Sequence, residues 1–219
     1  MDYDNIYQDK NEAYYAHQRK ELLPHLPANI TAALDIGCGD GAFGAVLKQH
    51  TNSEVWGVEP SKIAADLAAS KLDNVINGLF DKDMPELKGK KFDAIFFNDV
   101  LEHLISPDET LKDCHSLLNN DGYIIASIPN IRWYPVILSL LRYRDFKYEN
   151  AGVMDKTHLR FFTKKSMARL FTDAGYKILK IEGINNHQNF PVFNLINALL
   201  FNSQEDMKYP QFIVVAQKI

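Results

Sequence analysis

The run Asp35-Ile36-Gly37-Cys38-Gly39-Asp40-Gly41 has the clearest chemical use in this sequence. Its alternate glycines strip Cβ atoms from one bend of main chain, so a flat or extended ligand can touch the backbone. Set between a strand and a helix, such a bend lies at the carboxyl edge of a sheet, where open α/β sheets bind ligands. Gly39-x-Gly41-x-x-Gly44 formally matches the dinucleotide fingerprint. Two details oppose that reading. The glycine run starts earlier, at Gly37, and Asp35 stands just before it. A carboxylate there repels a pyrophosphate but accepts an ammonium group. Glu59 closes the next apolar run, and an acid in that place holds a ribose diol, which suits NAD and an adenosyl ligand alike. A glycine turn used only for packing is the remaining alternative, and the joint spacing of Asp35, the glycines and Glu59 speaks against it.

Holding these residues in place requires strands that end at Ile36 and Glu59. Ala32–Ile36 reads as a buried strand, followed by a helix from about Gly41 to His50. Glu54–Glu59 is a second strand, and Pro60-Ser61 opens a helix reaching about Leu72. Asn74–Asn77 and Phe92–Phe97 are further strands, and Ser106-Pro107-Asp108 opens the helix after them. Asp121-Gly122 makes a turn before strand Tyr123–Ile128, which Pro129 ends. This alternation predicts an α/β fold with a doubly wound, mostly parallel sheet and right-handed crossovers.

Beyond residue 130 the pattern changes. Residues 131–150 are rich in aromatics and arginine and fit a lid-like insertion. Thr163–Ala174 reads as a helix with Gly175 at its C-cap. Tyr176–Glu182 and Phe212–Gln217 are two more strands, separated by a second insertion, 184–209, that contains a helix. Residues 11–23 form a leading helix before Pro24, and the whole chain, 1–219, reads as a single domain.

Composition narrows the class. Charged residues make up 24% and hydrophobic residues 46%, as in a folded domain. A net charge of −4 disfavours nucleic acid as a partner, because non-specific polyanion binding draws on phosphate neutralisation. Cys38 and Cys114 make no disulfide framework and suit reduced thiols in a cytoplasmic protein. The acidic start Met1-Asp2-Tyr3-Asp4-Asn5 is no secretory signal. No stretch reaches the roughly 20 apolar residues of a membrane span.

Leu34–Gly41 resembles the first motif of the class I S-adenosylmethionine-dependent methyltransferases. Phe92-Asp93-Ala94-Ile95-Phe96-Phe97-Asn98-Asp99-Val100-Leu101-Glu102-His103 resembles their strand-four motif, and Leu117–Tyr123 their turn into strand five. Tyr14-Tyr15 with Arg19-x-Glu21-Leu22-Leu23, and Asp155–Thr163, look like a bacterial subgroup often associated with surface-polysaccharide clusters. The resemblance implies a Rossmann-like sheet of seven strands, the last antiparallel, with S-adenosylmethionine as cofactor and S-adenosylhomocysteine as product. It also implies residue roles. Gly37, Cys38 and Gly39 approach the methionine part, with Asp35 near its ammonium. Glu59 accepts the ribose hydroxyls, Pro60 and Phe80 pack on adenine, and Asp81 accepts from its amino group. Asn98, Asp99 and Val100 line the same pocket. Tyr15 and Arg19 either close over the cofactor carboxylate or belong to an amphipathic helix.

The acceptor is less well marked. A hydroxyl acceptor needs a base, because an alcohol is a weak nucleophile. His103, just beyond strand four, is the first candidate and His158 the second; a structural role in the following helix is the alternative for His103. Asp99-x-x-Glu102-His103 with His158 vaguely resembles the metal site of small-RNA 3′-terminal methyltransferases, although their first ligand is a glutamate and they carry an extra histidine. Asp99 and Glu102 read instead as parts of the cofactor pocket and a helix start, and no metal is assigned. Arg132, Arg142 and Arg144, with the aromatics around them, either cover an acceptor with an anionic handle or form a solvated face. The basic run Lys156 to Arg169 reads as a solvated face. Phe193, Leu195, Ile196, Leu199 and Leu200 pack on the body or pair two subunits of a homodimer.

The expectation is a methyltransferase acting on a small-molecule acceptor, by O-methylation of a sugar or related hydroxylated metabolite. A non-catalytic cofactor-binding partner, an RNA methyltransferase and an NAD-dependent oxidoreductase are the competing readings.

Overall fold

The computed structural model describes residues 18–186 and 188–219. Seven strands form one sheet: β1 (Ala32–Ile36), β2 (Glu54–Glu59), β3 (Asn74–Asn77), β4 (Phe92–Asn98), β5 (Leu118–Pro129), β6 (Tyr176–Ile184) and β7 (Gln211–Lys218). The order across the sheet is β3-β2-β1-β4-β5-β7-β6. β7 runs antiparallel to both neighbours, and the other pairings are parallel. Among the described residues six α-helices accompany it: α1 (Ala42–Thr51), α2 (Lys62–Ala68), α3 (Pro107–Cys114), α4 (Tyr134–Tyr143), α5 (Lys164–Asp173) and α6 (Pro191–Leu199).

The apolar strand runs are buried on both faces, as a doubly wound sheet requires. Neighbouring residues divide between two cores with period two. Leu34, Trp56, Ile95, Phe97, Ile124 and Val214 pack with Leu111 of α3 and Met167 and Phe171 of α5. Ala33, Val55, Ala94, Phe96, Ile125 and Val215 pack on the other face, against Phe43 and Leu47 of α1. Local signals start the helices where they stand. The Ser61 hydroxyl accepts from Ala64 N to cap α2, and Thr163 and Ser166 form a capping box on α5.

Three expectations need correction. The Asp121-Gly122 turn does not precede β5. The strand starts at Leu118, and its register against β4 slips between Phe92↔Leu118 and Ala94↔Tyr123, so the turn residues bulge out of a continuous strand. The second crossover helix ends at Ala68, short of Leu72, in turns closed by Lys71 N and Leu72 N on the Ala68 carbonyl. Ahead of β1, a 3-10 turn, Lys20–His25, runs through Pro24, and residues 18 and 19 are irregular; residues 11–17 of the expected leading helix lie outside the described residues. Both insertions contain helices, α4 in the first and α6 in the second. Arg132 ties them together, with Nη1 2.8 Å from the Asp206 carboxylate and Nη2 donating to Gln204.

Candidate active site

β1, β2 and β4 stop in register, and their carboxyl ends assemble the predicted residues. Gly37, Gly39 and Gly41 all take left-handed backbone, with φ of 73°, 55° and 79°. The bend docks on β2, with Gly37 N and Cys38 N donating to the Val58 carbonyl at 2.8 and 3.2 Å. A Cβ at Gly37 would stand 2.6 Å from Val100 Cγ2, so glycine is what lets this loop meet the loop after β4. Cys38 is buried, and its sulfur fills the space above Gly57, where a Cβ would lie 2.6 Å from Sγ. Its side chain belongs to the core, and what it can offer a ligand is backbone.

Glu59 is buried and fixes the bend. One carboxylate oxygen accepts from Gly39 N and the other from Ser61 N, both at 2.9 Å. Pro60 is partly buried beside it, and Asn77 Nδ2 donates to the carbonyls of Glu59 and Pro60. Phe80 packs against the core from the loop after β3, whereas Asp81 is exposed and caps its own turn through Asp83 N.

The buried side-chain polar atoms without a protein partner belong, among the described residues, to Asp35, Asn98 and Glu102. All three lie at the carboxyl ends of β1 and β4 or in the turn that follows. An unpaired buried polar atom costs about 1–3 kcal/mol, so its concentration at one edge points to ligand groups that supply the missing partners. Burial, and then the neighbouring Glu59 carboxylate, push the Asp35 carboxyl up to about 8, against the pull of Arg19. Burial likewise raises Glu102 to about 8.

At the same edge of the sheet Arg19 and Asp99 both adopt left-handed backbone, at φ 47° and 56°, conformations that non-glycine residues hold at a cost and that cluster at functional sites. Their side chains form an ion pair, and Gln211 donates to the same carboxylate. The Arg19 guanidinium, read as closing over the cofactor carboxylate or as part of an amphipathic helix, therefore rests on Asp99. Tyr15 lies outside the described residues.

His103 and His158 meet although 55 positions separate them. The Glu102 carbonyl accepts from Leu159 N at 2.8 Å and Arg160 N at 3.0 Å, stitching the segment after the first insertion onto the loop after β4. The two imidazole rings stand 4.8 Å apart at 73°. His103 Nδ1 faces the Thr157 carbonyl at 3.1 Å, and His158 Nδ1 faces that of Val153 at 3.2 Å. A ring nitrogen against a carbonyl carries the proton, so in each neutral ring Nε2 keeps the lone pair. His158 Nε2 is 3.9 Å from Glu102 Oε1. Phe161 stacks near His158 and meets Phe146 and Tyr148 of the first insertion. Sequence reasoning set aside a metal-ligand role for Glu102 and read it as part of the cofactor pocket or a helix start. Its signal was a carboxylate directly before a candidate histidine, and its burial shows only in three dimensions.

The insertion arginines divide. Arg132 is engaged by Asp206 and Gln204, while Arg142 and Arg144 are exposed. Phe193 is buried, its ring 4.8 Å from that of Tyr134 in the first insertion, and Leu195, Ile196, Leu199 and Leu200 are exposed. No helix among the described residues is long and apolar enough to cross a membrane.

A family profile described as a methyltransferase domain matches residues 7–181. A ubiquinone biosynthesis O-methyltransferase of Coxiella burnetii is 24% identical over 173 residues, 77% of this chain and 73% of that protein. A methyltransferase structure from Thermotoga maritima, described as a possible histamine N-methyltransferase, superposes with a TM-score of 0.65 at 19% identity, covering 99% of this chain and 94% of the other. Another, from Archaeoglobus fulgidus, gives 0.63 at 20% identity, covering 99% and 98%. At these identities the structural likeness is one of fold. The oxidoreductase reading of the glycine bend gives way to the family match. With most of its length matched, the chain belongs to the methyltransferase-domain family and is an S-adenosylmethionine-dependent methyltransferase.

Proposed function

We propose that the chain transfers a methyl group to a hydroxyl oxygen of a small acceptor, a sugar or related hydroxylated metabolite. The observation that carries this reading is the group of Glu102, His103 and His158 gathered beyond the carboxyl end of β4, with Glu102 and His158 buried and His103 partly exposed. A hydroxyl must lose its proton to become a good nucleophile, and an imidazole lone pair suits that task near neutrality. The O-methyltransferase name of the Coxiella relative agrees in reaction type.

The residues present fit the cofactor. Asp35 and Asn98 have buried polar atoms that lack protein partners, and the cradle at Gly37 is one a Cβ would fill. S-Adenosylmethionine, when bound, supplies the methyl group already activated on a sulfonium. Asp35 and Asn98 would hold the ammonium, the backbone of Gly37, Cys38 and Gly39 the methionine part, and Glu59 the ribose. Pro60, Phe80 and Asp81 would flank the adenine, with Asp99 and Val100 as the wall. Arg19 can reach the cofactor carboxylate only by sharing or leaving Asp99.

On the acceptor side His103 takes the hydroxyl proton and His158 stands behind it. Phe146, Tyr148 and Phe161 offer ring faces that orient a sugar and exclude water. The same aromatic faces favour a second reading, a phenolic hydroxyl. A screen of nucleotide sugars, small hydroxylated metabolites and phenols with radiolabelled methyl donor tests both. Label in an ether product supports O-methylation and names the acceptor. Label only on amines or thiols, or on none of these classes, refutes it.

A further inference from the structure

The helix of the second insertion is turned inside out. A surface helix ordinarily points its apolar stripe at the core and its polar residues at water. α6 buries Phe193 and Asn197 and exposes Val192, Leu195, Ile196 and Leu199. The burial of Asn197 has its reason, since Nδ2 donates to the Glu205 carboxylate at 3.0 Å and Oδ1 accepts from Gln204 N at 2.9 Å. Among the described residues nothing covers the apolar stripe. Its i, i+3, i+4, i+7 spacing gathers those side chains on one helix face, and Leu199 is 73% exposed.

The chain leaving the helix adds to this surface. Leu200 is exposed, and Phe201 is 95% exposed. Phe201 also takes left-handed backbone, at φ 54°, which a bulky residue holds at a cost. Phe201 N donates to the Ala198 carbonyl and Asn202 N to that of Asn197, so the end of the helix enforces the bend. The ring it presents to solvent is of the kind enriched at interfaces. Together the exposed side chains from Val192 to Phe201 present roughly 700 Å² of surface, more than the ~300–600 Å² of a typical monomer's largest apolar patch and close to the ~800 Å² that each partner gives a standard interface.

Charge selects the occupant. No Asp, Glu, Lys, Arg or His occurs from Gln188 to Gln204. A helix that lies on a membrane draws on basic residues along its polar face, and α6 has none. A neutral face meets its own copy without like-charge repulsion, and a two-fold axis lays the same stripe on both partners. We propose that α6 and Phe201 pair with the same elements of a second copy, making the chain a two-fold symmetric homodimer joined through its second insertion. The sheet edge is not the joint: β6 is an edge strand that carries exposed Lys177 and Lys180, charges that oppose strand-to-strand pairing. The proposal is independent of which acceptor is methylated.

Analytical ultracentrifugation of the untagged full chain is the test. At about 50 µM, above the micromolar end of the affinities that interfaces of this area span, wild type should sediment at twice its 25.0 kDa. Leu195→Glu puts a charge into each half of the shared face and should raise the dissociation constant by about 30-fold or more, the scale of an interface hot spot. Its circular dichroism and S-adenosylhomocysteine affinity should match wild type, showing that the fold is intact. Phe201→Asn should weaken association to a similar extent. Asparagine accepts left-handed backbone, so at a concentration where both chains sediment as monomers this variant should melt no lower than wild type. A Phe201 that served only the fold would give the reverse, a lower melt with association unchanged, and that result counts against the proposal. A wild type that is monomeric at about 50 µM overturns it, whether the face then proves to bind phosphatidylglycerol vesicles or to be covered by residues 1–17, read as protection of a Leu199→Cys thiol from maleimide. A dimer that persists in both variants also overturns it, because another face then joins the copies.

Discussion

Glu59→Gln separates two duties that one carboxylate performs. In the folded chain one oxygen accepts from Gly39 N and the other from Ser61 N. Glutamine has one acceptor oxygen and one NH₂ group, so whichever way it turns, a donor faces a donor. At least one charge-assisted hydrogen bond is lost, worth about 1.5–3 kcal/mol. For a chain of this size each kcal/mol lowers the melting temperature by about 2–4 °C, so the variant should melt roughly 3–12 °C lower. The ribose hydroxyls lose a carboxylate acceptor at the same time, and S-adenosylhomocysteine should bind at least about ten-fold more weakly. Thermal denaturation reads the first effect and isothermal titration calorimetry the second. A wild-type melt would refute the anchoring of the glycine bend. An unchanged affinity would remove Glu59 from the cofactor site.

Asp35 makes stability depend on pH. Its folded carboxyl holds a proton up to about 8, so its stabilising contribution is complete below the ordinary carboxylate range and disappears as pH rises toward about 8. Urea unfolding of the ligand-free chain should show that fall, and Asp35→Asn should flatten it; equal slopes in both would contradict the assignment. Binding of an ammonium-bearing ligand should expel the Asp35 proton in the same window, making calorimetric heats depend on buffer ionisation. Gly37→Ala must hold alanine at φ 73° with its Cβ 2.6 Å from Val100 Cγ2, and left-handed alanine alone costs about 1–2 kcal/mol. It should melt lower and bind S-adenosylhomocysteine more weakly, and wild-type behaviour in both assays would count against the close approach. His103→Ala should keep cofactor binding and lose turnover, and undiminished turnover would eliminate His103 from the acceptor chemistry. Arg132→Ala should speed proteolysis within 131–150 while shifting global stability by no more than about 1 kcal/mol, since the ion pair is partly exposed.

Much of the placement of residues at the carboxyl ends of β1 and β2 was legible in the chain because it is local. The strand, glycine bend and helix from Ala32 to Thr51 form one continuous run, and the next acid, Glu59, follows from parallel pairing of β1 with β2. Alternation of apolar residues set the two faces of the sheet. The missed features depend on distant partners. Asp121-Gly122 reads as a turn, yet pairing of β5 with β4 and β7 draws the strand through it. Arg132 reads as a surface cation until Asp206, on the second insertion, comes alongside. The junction of Glu102 with His158 is made by backbone bonds to Leu159 and Arg160, which no side-chain pattern announces.

Titration of the ligand-free chain with S-adenosylhomocysteine, and in parallel with NAD, bears most directly on the crevice at the ends of β1, β2 and β4. Saturable one-to-one binding of S-adenosylhomocysteine, lost in Gly37→Ala and absent for NAD, is the predicted result. No binding of S-adenosylhomocysteine, or equal binding of NAD, would contradict it.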